Sequence, residues 1–580
     1  MRQPANVNMR LRILTLIISV LFVILIIGLW YTQVARGSYY YNLSEKNRLR
    51  IVPINGPRGI IYDRKGDILA DNKLSFDVVI VPQEVKDKDK TLKTLAKLLN
   101  TSYESLVKQY KKNRSFPFAP ALLIRGISKD NAIILEEDKL NLAGIVVQAN
   151  PDRTYLYGKD TAHLLGYIGE IHEEQLKRLK DYGYKGKDII GHSGIEKFFD
   201  NTLRGRDGGM LVEVDNRGRQ IRVIGSREPV KGMDIHLTID IRLQKFLNQL
   251  LHGRRGGAVF MDPNNGAIFA LVSSPSYDPE IFMNTDRRNE LKDVLRDKYN
   301  LPLLNRSVMG SYPPGSIFKI ITTAAALKMR KITPHTTFHC EGQFHLGNAT
   351  FACNSTHGNE DILGALEHSC NVFFYNTGLK VGVDVLARYA LDFGLGDVTG
   401  VELPGESSGH VPDRTWKMLK RGENWYPGDT VNLSIGQGSM LITPLQGARM
   451  VSVIANGGYL VTPHLINGEG HYQGNPHTKR VDISDEVLKI IKDGMRRVVE
   501  GDDGTGRQAR IDGLNIAAKT GTAEVSVGKS HAWFCGFAPL SNPKVAFAIL
   551  LEHGGKGGED AAYIAKEAIE FIKGNTDLLQ

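Results

Sequence analysis

GSYPPGSIFKIITTAAALKM, residues 310–329, is the stretch of this 580-residue chain that decides its fold class. Two prolines and a glycine come directly before a good helix-forming segment, so we expect Ser316 to lie in the first turn of a helix. Lys319 then lies one turn further along on the same face, where a desolvated amine can lose its proton and activate a serine hydroxyl. The free N–H groups of the helix N-terminus can stabilise an oxyanion. The pattern therefore predicts a serine nucleophile.

Two further motifs strengthen this interpretation. By itself, Ser-x-x-Lys also fits a capping serine followed by a solvated lysine. Ser369-Cys370-Asn371 and Lys519-Thr520-Gly521-Thr522 follow in the order of a known active-site set. We expect Gly521 to keep a strand edge clear for an extended peptide, whereas the alternative is a surface strand with a turn at this glycine.

Apolar runs on both sides of the motifs predict a mostly antiparallel sheet flanked by helices. The runs at 256–262 and 266–274 are separated by a Pro-Asn-Asn turn and predict a hairpin. Further strands are expected in LNIAAKTGTAE, HAWFCGFAP and KVAFAILLE, and a closing helix in EDAAYIAKEAIEFIK. This unit is expected to occupy residues 231–580.

The uncharged run at residues 13–31 is long enough to cross a bilayer as a helix. It ends in Trp30 and Tyr31, which suit a membrane interface, and no small-residue cleavage site follows. We therefore expect a cytoplasmic tail at 1–12 and an uncleaved anchor at 13–33, with a buried soluble helix as the alternative. Basic residues flank the run on both sides, so charge counting leaves its orientation open.

The chain is too long for a single core, so several domains are expected. Turn signals, short strands and a polar helical stretch at about 86–112 predict a mixed, non-catalytic region at 34–230, with a head lobe at about 80–190. The net charge of +10 suits a surface that meets anionic lipid or polymer, although a merely soluble basic surface fits as well. No segment combines Lys and Arg with aromatics as a nucleic-acid groove does, so no nucleic-acid partner is expected.

At this point a family resemblance is evident. YPPGSIFK, HSCNVFFY and AAKTGTAE resemble the three motifs of the penicillin-binding transpeptidases. RGIIYDRKGDILA, GHSGIEKFFDNTLRGRDGG, MDPNNGAIFALVSSPSYDP, LSIGQGSMLITPLQ and WFCGFAP resemble landmark stretches of the class B group. The resemblance implies an α/β (α+β) serine penicillin-recognising transpeptidase fold on an elongated mixed pedestal with one transmembrane helix. It further implies a D,D-transpeptidase that cross-links peptidoglycan outside the plasma (inner) membrane, in the periplasm, and binds penicillin covalently.

The same resemblance implies a role for each motif residue. Ser316 attacks the penultimate D-Ala of a stem pentapeptide and expels the terminal D-Ala, and an amino group of a second strand resolves the acyl-enzyme. Lys319 takes the serine proton, and the N–H groups of Ser316 and Thr522 form the oxyanion hole. The other members relay a proton to the leaving amine (Ser369, Lys519), hold the side of the peptide (Asn371), or bind its terminal part and carboxylate (Thr520, Gly521, Thr522).

A cysteine-rich stretch near the second motif suggests a metal site. The candidate ligands are Cys340, Cys353, His357 and Cys370, a composition that suits tetrahedral zinc. The spacing lacks close Cys-x-x-Cys pairs, and a Cys340–Cys353 disulfide is the competing interpretation in an oxidising compartment. The resemblance favours zinc, since some elongation-type class B enzymes carry a metal here with the middle residue of the second motif as a ligand. His339 and His345 are possible substitute ligands.

The expected role is elongation of the cell wall and maintenance of cell shape. The candidate metal ligands and the landmarks Arg153, Tyr155 and Tyr157 favour this role. Alternatives are a division-type (septal) transpeptidase and a scaffold that activates a glycosyltransferase of the RodA or FtsW type. A D,D-carboxypeptidase or β-lactamase is a further alternative. The expected partners are stem peptides, β-lactams and an inner-membrane RodA-type glycosyltransferase within an elongation complex.

Overall fold

The computed structural model describes residues 5–114, 120–214, 220–284, 287–467 and 477–579. The chain divides into two compact units. The smaller unit comprises Met1–Arg58, Asn72–Asp152 and Arg204–Gly232, and the larger comprises Gly59–Asp71, Arg153–Leu203 and Met233–Gln580. The domain limits inferred from the sequence, including the head lobe, stay predictions.

An apolar helix begins the described chain. It spans Ala5–Trp30, continues through a π-helical turn at Tyr31–Ala35, and is followed by a helix at Gly37–Arg48. Asn8–Ala35 is long and apolar enough to cross a membrane, and 0% of its most apolar window is buried. A soluble helix of this composition would be covered by protein, so the exposure favours a single-pass anchor over the buried-helix alternative.

Besides the two N-terminal helices, the described part of the smaller unit contains two sheet regions and three α-helices. Leu49–Ile54, Gly208–Val214 and Gln220–Arg227 pair in that order as an antiparallel sheet. Ile68–Ile80 pairs with Ala121–Ile127 and with Ile145–Tyr155. The helices are Lys88–Leu98, Tyr103–Asn113 and Lys129–Glu137, each preceded by an Asp or Ser whose side chain accepts a backbone N–H. The predicted helical stretch at about 86–112 is confirmed as the first two of these helices.

The larger unit includes short elements from the chain before residue 237. Ile61–Tyr62 pairs with Ile235–His236, and Ile168–Glu170 pairs with Ile189–Gly191. The short helices are Ala162–Leu165, Glu173–Leu179, Gly194–Phe198 and Asp200–Leu203. Among the landmarks, Arg153 forms a fully buried ion pair with Glu196, with its Nε 2.6 Å from Oε1, which ties two of these segments together.

A five-stranded antiparallel sheet forms the centre of the larger unit. Its strands, in spatial order, are Ile268–Ser274, Gly256–Met261, Val545–Leu551, His531–Ala538 and Ala517–Ala523. Along Gly256–Met261, Ala258 and Phe260 belong to one apolar cluster, while Val259 and Met261 belong to another. This alternation shows a sheet buried on both faces. The predicted antiparallel sheet flanked by helices is confirmed.

Helices cover both faces of this sheet. Ile241–Leu250 and Ala562–Asn575 contribute to one core, and Pro444–Ala455 contributes to the other. The remaining helices of at least six residues are Arg288–Arg296, Lys319–Lys328, Ile362–Glu367, Asn371–Val381, Val383–Asp392, Arg414–Arg421, Pro427–Ser434 and Asp485–Glu500. Three small two-stranded antiparallel sheets pair Phe338–Cys340 with Gly358–Glu360, Gln343–Leu346 with Ala349–Ala352, and Tyr459–Val461 with His477–Arg480.

Candidate active site

Ser316 lies in a 3-10 turn, Gly315–Phe318, that runs directly into the helix Lys319–Lys328. Gly315 has a φ of +56°, and a Cβ there would lie 2.7 Å from the carbonyl oxygen of Thr522. Its N–H donates to the Gly436 carbonyl at 2.9 Å. A residue without a side chain is therefore needed to bring the nucleophile turn against the outer strand of the sheet.

Lys319 is completely buried at the start of the helix. Its Nζ donates to Asn371 Oδ1 at 2.7 Å and to the Ser369 carbonyl at 2.8 Å, and it lies 3.2 Å from Ser369 Oγ. Burial lowers the pKa of Lys319 to about 7, against a smaller opposing effect from the nearby Cys353 and Cys370 side chains. A large fraction of this amine is therefore unprotonated near neutral pH.

Ser369 joins the first and third motifs. Lys519 Nζ donates to its Oγ at 2.9 Å, so the hydroxyl contacts both buried amines. Burial, followed by the charge of Lys319, holds the pKa of Lys519 well below its ordinary value. Ser369 also has a φ of +57°, a strained conformation for a residue with a side chain. The structure thus brings Lys319, Ser369, Asn371 and Lys519 together, as the motif order predicts.

The third motif lies on the outer strand, Ala517–Ala523. Thr520 is buried, while Thr522 is exposed. For Gly521 the structure supplies a reason that the sequence argument missed. A Cβ at this position would lie 2.9 Å from the Pro314 carbonyl oxygen and 2.8 Å from Cβ of Trp533. The glycine is therefore required for contact with the turn before Ser316, and the predicted surface-strand alternative is wrong because this residue is buried.

The four candidate metal ligands converge. Donor atoms of Cys340, Cys353, His357 and Cys370 all lie within 4.8 Å of one another. His357 Nδ1 is 3.5 Å from Cys340 Sγ and 3.6 Å from Cys353 Sγ. Hydrogen bonds from Cys370 and from backbone N–H groups hold the pKa of Cys353 well below its ordinary value, which favours a thiolate. All four cysteines of the chain fall in the described ranges and carry free thiols.

The two substitute histidines lie outside this cluster of ligands. Nδ1 of His339 contacts Asn359 Oδ1 at 2.8 Å, and Nδ1 of His345 contacts Thr350 Oγ1 at 3.0 Å. Both side chains are exposed on the small two-stranded sheets. They do not belong to the group of donors that the structure assembles.

Other residues support the site without belonging to any predicted motif. Trp533 Nε1 donates to the Pro313 carbonyl at 2.9 Å, and Gln437 Nε2 donates to the Thr522 carbonyl at 3.4 Å. Glu552 accepts from Tyr312 at 2.7 Å and from the buried Arg306 at 2.8 Å. Trp533 and Gln437 fall in the landmark stretches WFCGFAP and LSIGQG, which is the signal that could have found them. Glu552 has no such signal, because its partners are distant in sequence.

The helix-borne serine and lysine, the second serine held between two buried amines, and the outer sheet strand together define a penicillin-recognising serine enzyme. Family models agree with this class. Residues 256–570 match "Penicillin binding protein transpeptidase domain", and residues 53–237 match "Penicillin-binding Protein dimerisation domain".

Known relatives narrow the assignment. The chain is 33% identical to the peptidoglycan D,D-transpeptidase MrdA of Haemophilus influenzae, over 96% of this chain and 91% of that protein. It resembles the Helicobacter pylori penicillin-binding protein PBP2 solved in complex with MreC, with a TM-score of 0.80, 30% identity, and coverage of 90% and 99% of the two chains. A chain solved in a peptidoglycan synthase complex gives a TM-score of 0.73 and 30% identity, over 98% and 99%. The chain belongs to the class B penicillin-binding proteins, in the MrdA family of D,D-transpeptidases.

Proposed function

We propose that this chain cross-links peptidoglycan stem peptides during cell-wall elongation as a serine-type D,D-transpeptidase, with Ser316 as the residue that is acylated. The observation that carries the proposal is the pair of buried amines on one hydroxyl, Lys319 and Lys519 on Ser369. Two adjacent amines cannot both stay charged at low cost in a dry site, so the pair is suited to accept and return protons. The MrdA and PBP2 relatives favour the elongation role over the division, scaffold and hydrolase alternatives.

Acylation begins with Lys319. Its unprotonated amine removes the proton of Ser316 while Oγ attacks the penultimate D-Ala carbonyl, and the new bond forms as the carbonyl oxygen becomes an oxyanion. The N–H groups of Ser316 and Thr522 stabilise that charge, a contribution of ~10²–10³ in rate for a donor of this kind. Collapse of the tetrahedral intermediate breaks the peptide bond and releases the terminal D-Ala, whose amine receives its proton through Ser369 and Lys519.

The outer strand positions the donor peptide. Asn371, fixed by its contact with Lys319 Nζ at 2.7 Å, holds the side of the peptide, and the hydroxyls of Thr520 and Thr522 bind the terminal carboxylate. An amino group from a second stem peptide then attacks the ester of Ser316, and the steps run in reverse with Lys319 returning its proton to the serine. A β-lactam presents the same carboxylate and a strained amide, so it acylates Ser316 as well.

We further propose that the Cys/His group holds zinc in a structural role. Tetrahedral zinc with bonds of ~2.3 Å to sulfur and ~2.0 Å to nitrogen separates the two kinds of donor by about 3.5 Å. The observed separations of 3.5 and 3.6 Å fit this value. When bound, the ion supplies a rigid cross-link between its four ligands. Because Asn371 N–H donates to Cys353 Sγ at 3.1 Å, the cross-link would steady the second motif.

Location and partners follow from the anchor and the relatives. We infer that the helix at the N-terminus crosses the plasma membrane once and that the catalytic unit lies on its outer, periplasmic side, where the substrate is. The related structures contain MreC in one case and a peptidoglycan synthase complex in the other. These support a RodA-type glycosyltransferase and further elongation proteins as partners of this chain.

A cross-linking assay tests the proposed reaction. The full chain and its Ser316→Ala variant would be incubated in detergent with a glycan polymerase and pentapeptide lipid substrate, and the digested product analysed by mass spectrometry. We expect dimeric muropeptides and free D-Ala from the parent and neither from the variant. Free D-Ala without dimers would contradict the transfer step and favour the D,D-carboxypeptidase alternative.

A further inference from the structure

A threonine outside the three motifs contacts the third motif. Thr505 belongs to the segment Gly-Asp-Asp-Gly-Thr-Gly, residues 501–506, which follows the helix Asp485–Glu500. Its Oγ1 lies 2.9 Å from Oγ1 of Thr520 and 3.2 Å from the carbonyl oxygen of Glu367. Glu367 ends the helix Ile362–Glu367, two residues before Ser369. One hydroxyl therefore connects the outer strand with the segment that leads to the second motif.

The backbone around Thr505 holds this hydroxyl in place. Its own N–H donates to the Glu367 carbonyl at 3.3 Å. A Cβ on Gly558 would lie 2.0 Å from the Thr505 carbonyl oxygen, so the backbone at Gly558 packs directly against the 501–506 segment. On the other side, a Cβ on Gly506 would lie 2.9 Å from the ring of Phe534. Thr505 is thus held between packed segments, and its side chain has little freedom to move away from Thr520.

The number of protons on the two hydroxyls limits which of them can donate to the other. A threonine hydroxyl has one proton to donate and two lone pairs to accept with, whereas a carbonyl can only accept. If Thr505 donates to the Glu367 carbonyl, it must accept from Thr520, and the proton of Thr520 is then used within the protein. If Thr505 rotates its proton to Thr520 Oγ1, the Thr520 proton is released to point elsewhere. The Glu367 carbonyl keeps a partner in both arrangements, because the Thr505 N–H continues to donate to it.

We propose that Thr505 is a positioning residue that lets Thr520 donate its hydroxyl proton to the terminal carboxylate of the donor peptide or of a β-lactam. This rests on the proposed role of Thr520 in binding that carboxylate. Without substrate, the proton of Thr520 is directed to Thr505. When a carboxylate arrives, Thr505 reverses from acceptor to donor, and Thr520 turns its proton to the substrate while its oxygen stays hydrogen-bonded. Lys519 Nζ is only a distant partner of that oxygen, at 3.5 Å, so Thr505 supplies its short hydrogen bond, at 2.9 Å, at the moment of binding.

The test uses the full chain in detergent and the second-order rate constant for acylation by benzylpenicillin. Thr505→Val removes the hydroxyl at nearly constant volume, and we expect a loss of about fivefold, as for one neutral hydrogen bond. Thr505→Ser restores the hydroxyl and should stay within about twofold of the parent. Thr377→Val is the matched control, since this buried hydroxyl donates to the Phe373 carbonyl within its own helix. The methyl ester of benzylpenicillin lacks the charged acceptor. With the ester, the ratio of the acylation rate constant of the parent to that of Thr505→Val should therefore fall towards one.

The acylation rate of Thr520→Val is measured as well, to separate the role of Thr520 in binding the carboxylate from the role of Thr505 in positioning Thr520. A slow Thr520→Val variant with Thr505→Val as fast as the parent would overturn the inference and leave the role of Thr520 intact. A Thr520→Val variant as fast as the parent would overturn both. Equal losses on the acid and on the ester would also contradict the inference, because they would show that Thr505 only supports the fold.

Discussion

The pH dependence of acylation tests whether Lys319 acts as a neutral base. Its pKa is lowered from 10.5 to about 7. At pH 7 about half of the amines are then unprotonated, whereas a lysine with an ordinary pKa would be unprotonated in only about 0.03% of molecules. Burial therefore raises the concentration of active base about 1,500-fold at neutral pH. We expect the acylation rate to rise about tenfold per pH unit below pH 6 and to level off above pH 8.

Stopped-flow measurement of acylation by a chromogenic or fluorescent cephalosporin between pH 5.5 and 9.5 gives this profile. The carboxylate of such a compound does not titrate in that range, so the profile reports the protein. Melting temperatures across the same range control for loss of fold. A rate that continues to climb tenfold per unit from pH 8 to pH 9.5 would refute the reasoning, because it would show an amine with an ordinary pKa. A flat profile down to pH 5.5 would equally exclude Lys319 as the base.

Three substitutions test other contacts of the catalytic unit. Gly521→Ala places a Cβ 2.9 Å from the Pro314 carbonyl oxygen, so acylation by penicillin should slow at least ~10-fold. Gly574→Ala is the control and should not slow acylation, because a Cβ at this position has nothing within 4 Å. His357→Ala should reduce the zinc content measured by elemental mass spectrometry from about one ion per chain to well below half, and His345→Ala should leave it unchanged. Glu552→Ala removes the carboxylate that pairs with Arg306, whose side chain is 1% exposed. Urea unfolding should show that the free energy of unfolding falls by about 3 kcal/mol. Glu570→Ala is the control and should cause no measurable loss, because the Glu570 side chain is 45% exposed.

The parts of the site that could be predicted from the sequence are those written in short local patterns. The serine and lysine of the first motif share one turn and the start of one helix, and the segment LNIAAKTGTAE, which carries the third motif, was predicted as a strand. The five-stranded sheet was predictable because both of its faces are buried, which makes its strands uniformly apolar. The closing helix Ala562–Asn575 was predictable from its helical periodicity.

The rest depends on contacts between segments that are far apart in the chain. Nothing in the local sequence shows that Ser369 adopts a positive φ or that its hydroxyl contacts two lysines that lie 50 and 150 residues away. Gly521 was singled out for a peptide-binding role, which stays a prediction, whereas the structure shows that its closest neighbours are Trp533 and the turn before Ser316. Thr505 and Glu552 gave no signal at all, as a lone polar residue next to a glycine or a strand is common. Convergence of the four metal ligands was suggested by composition and could only be established by the fold.

Intact-mass analysis after incubation with benzylpenicillin tests the central claim, that Ser316 is the nucleophile, most directly. The full chain and its Ser316→Ala variant would be treated in parallel, with melting temperatures to verify that both are folded. The account predicts one covalent adduct of the mass of penicillin on the parent and none on the variant. No adduct on a folded parent, or an equal adduct on the variant, would contradict it.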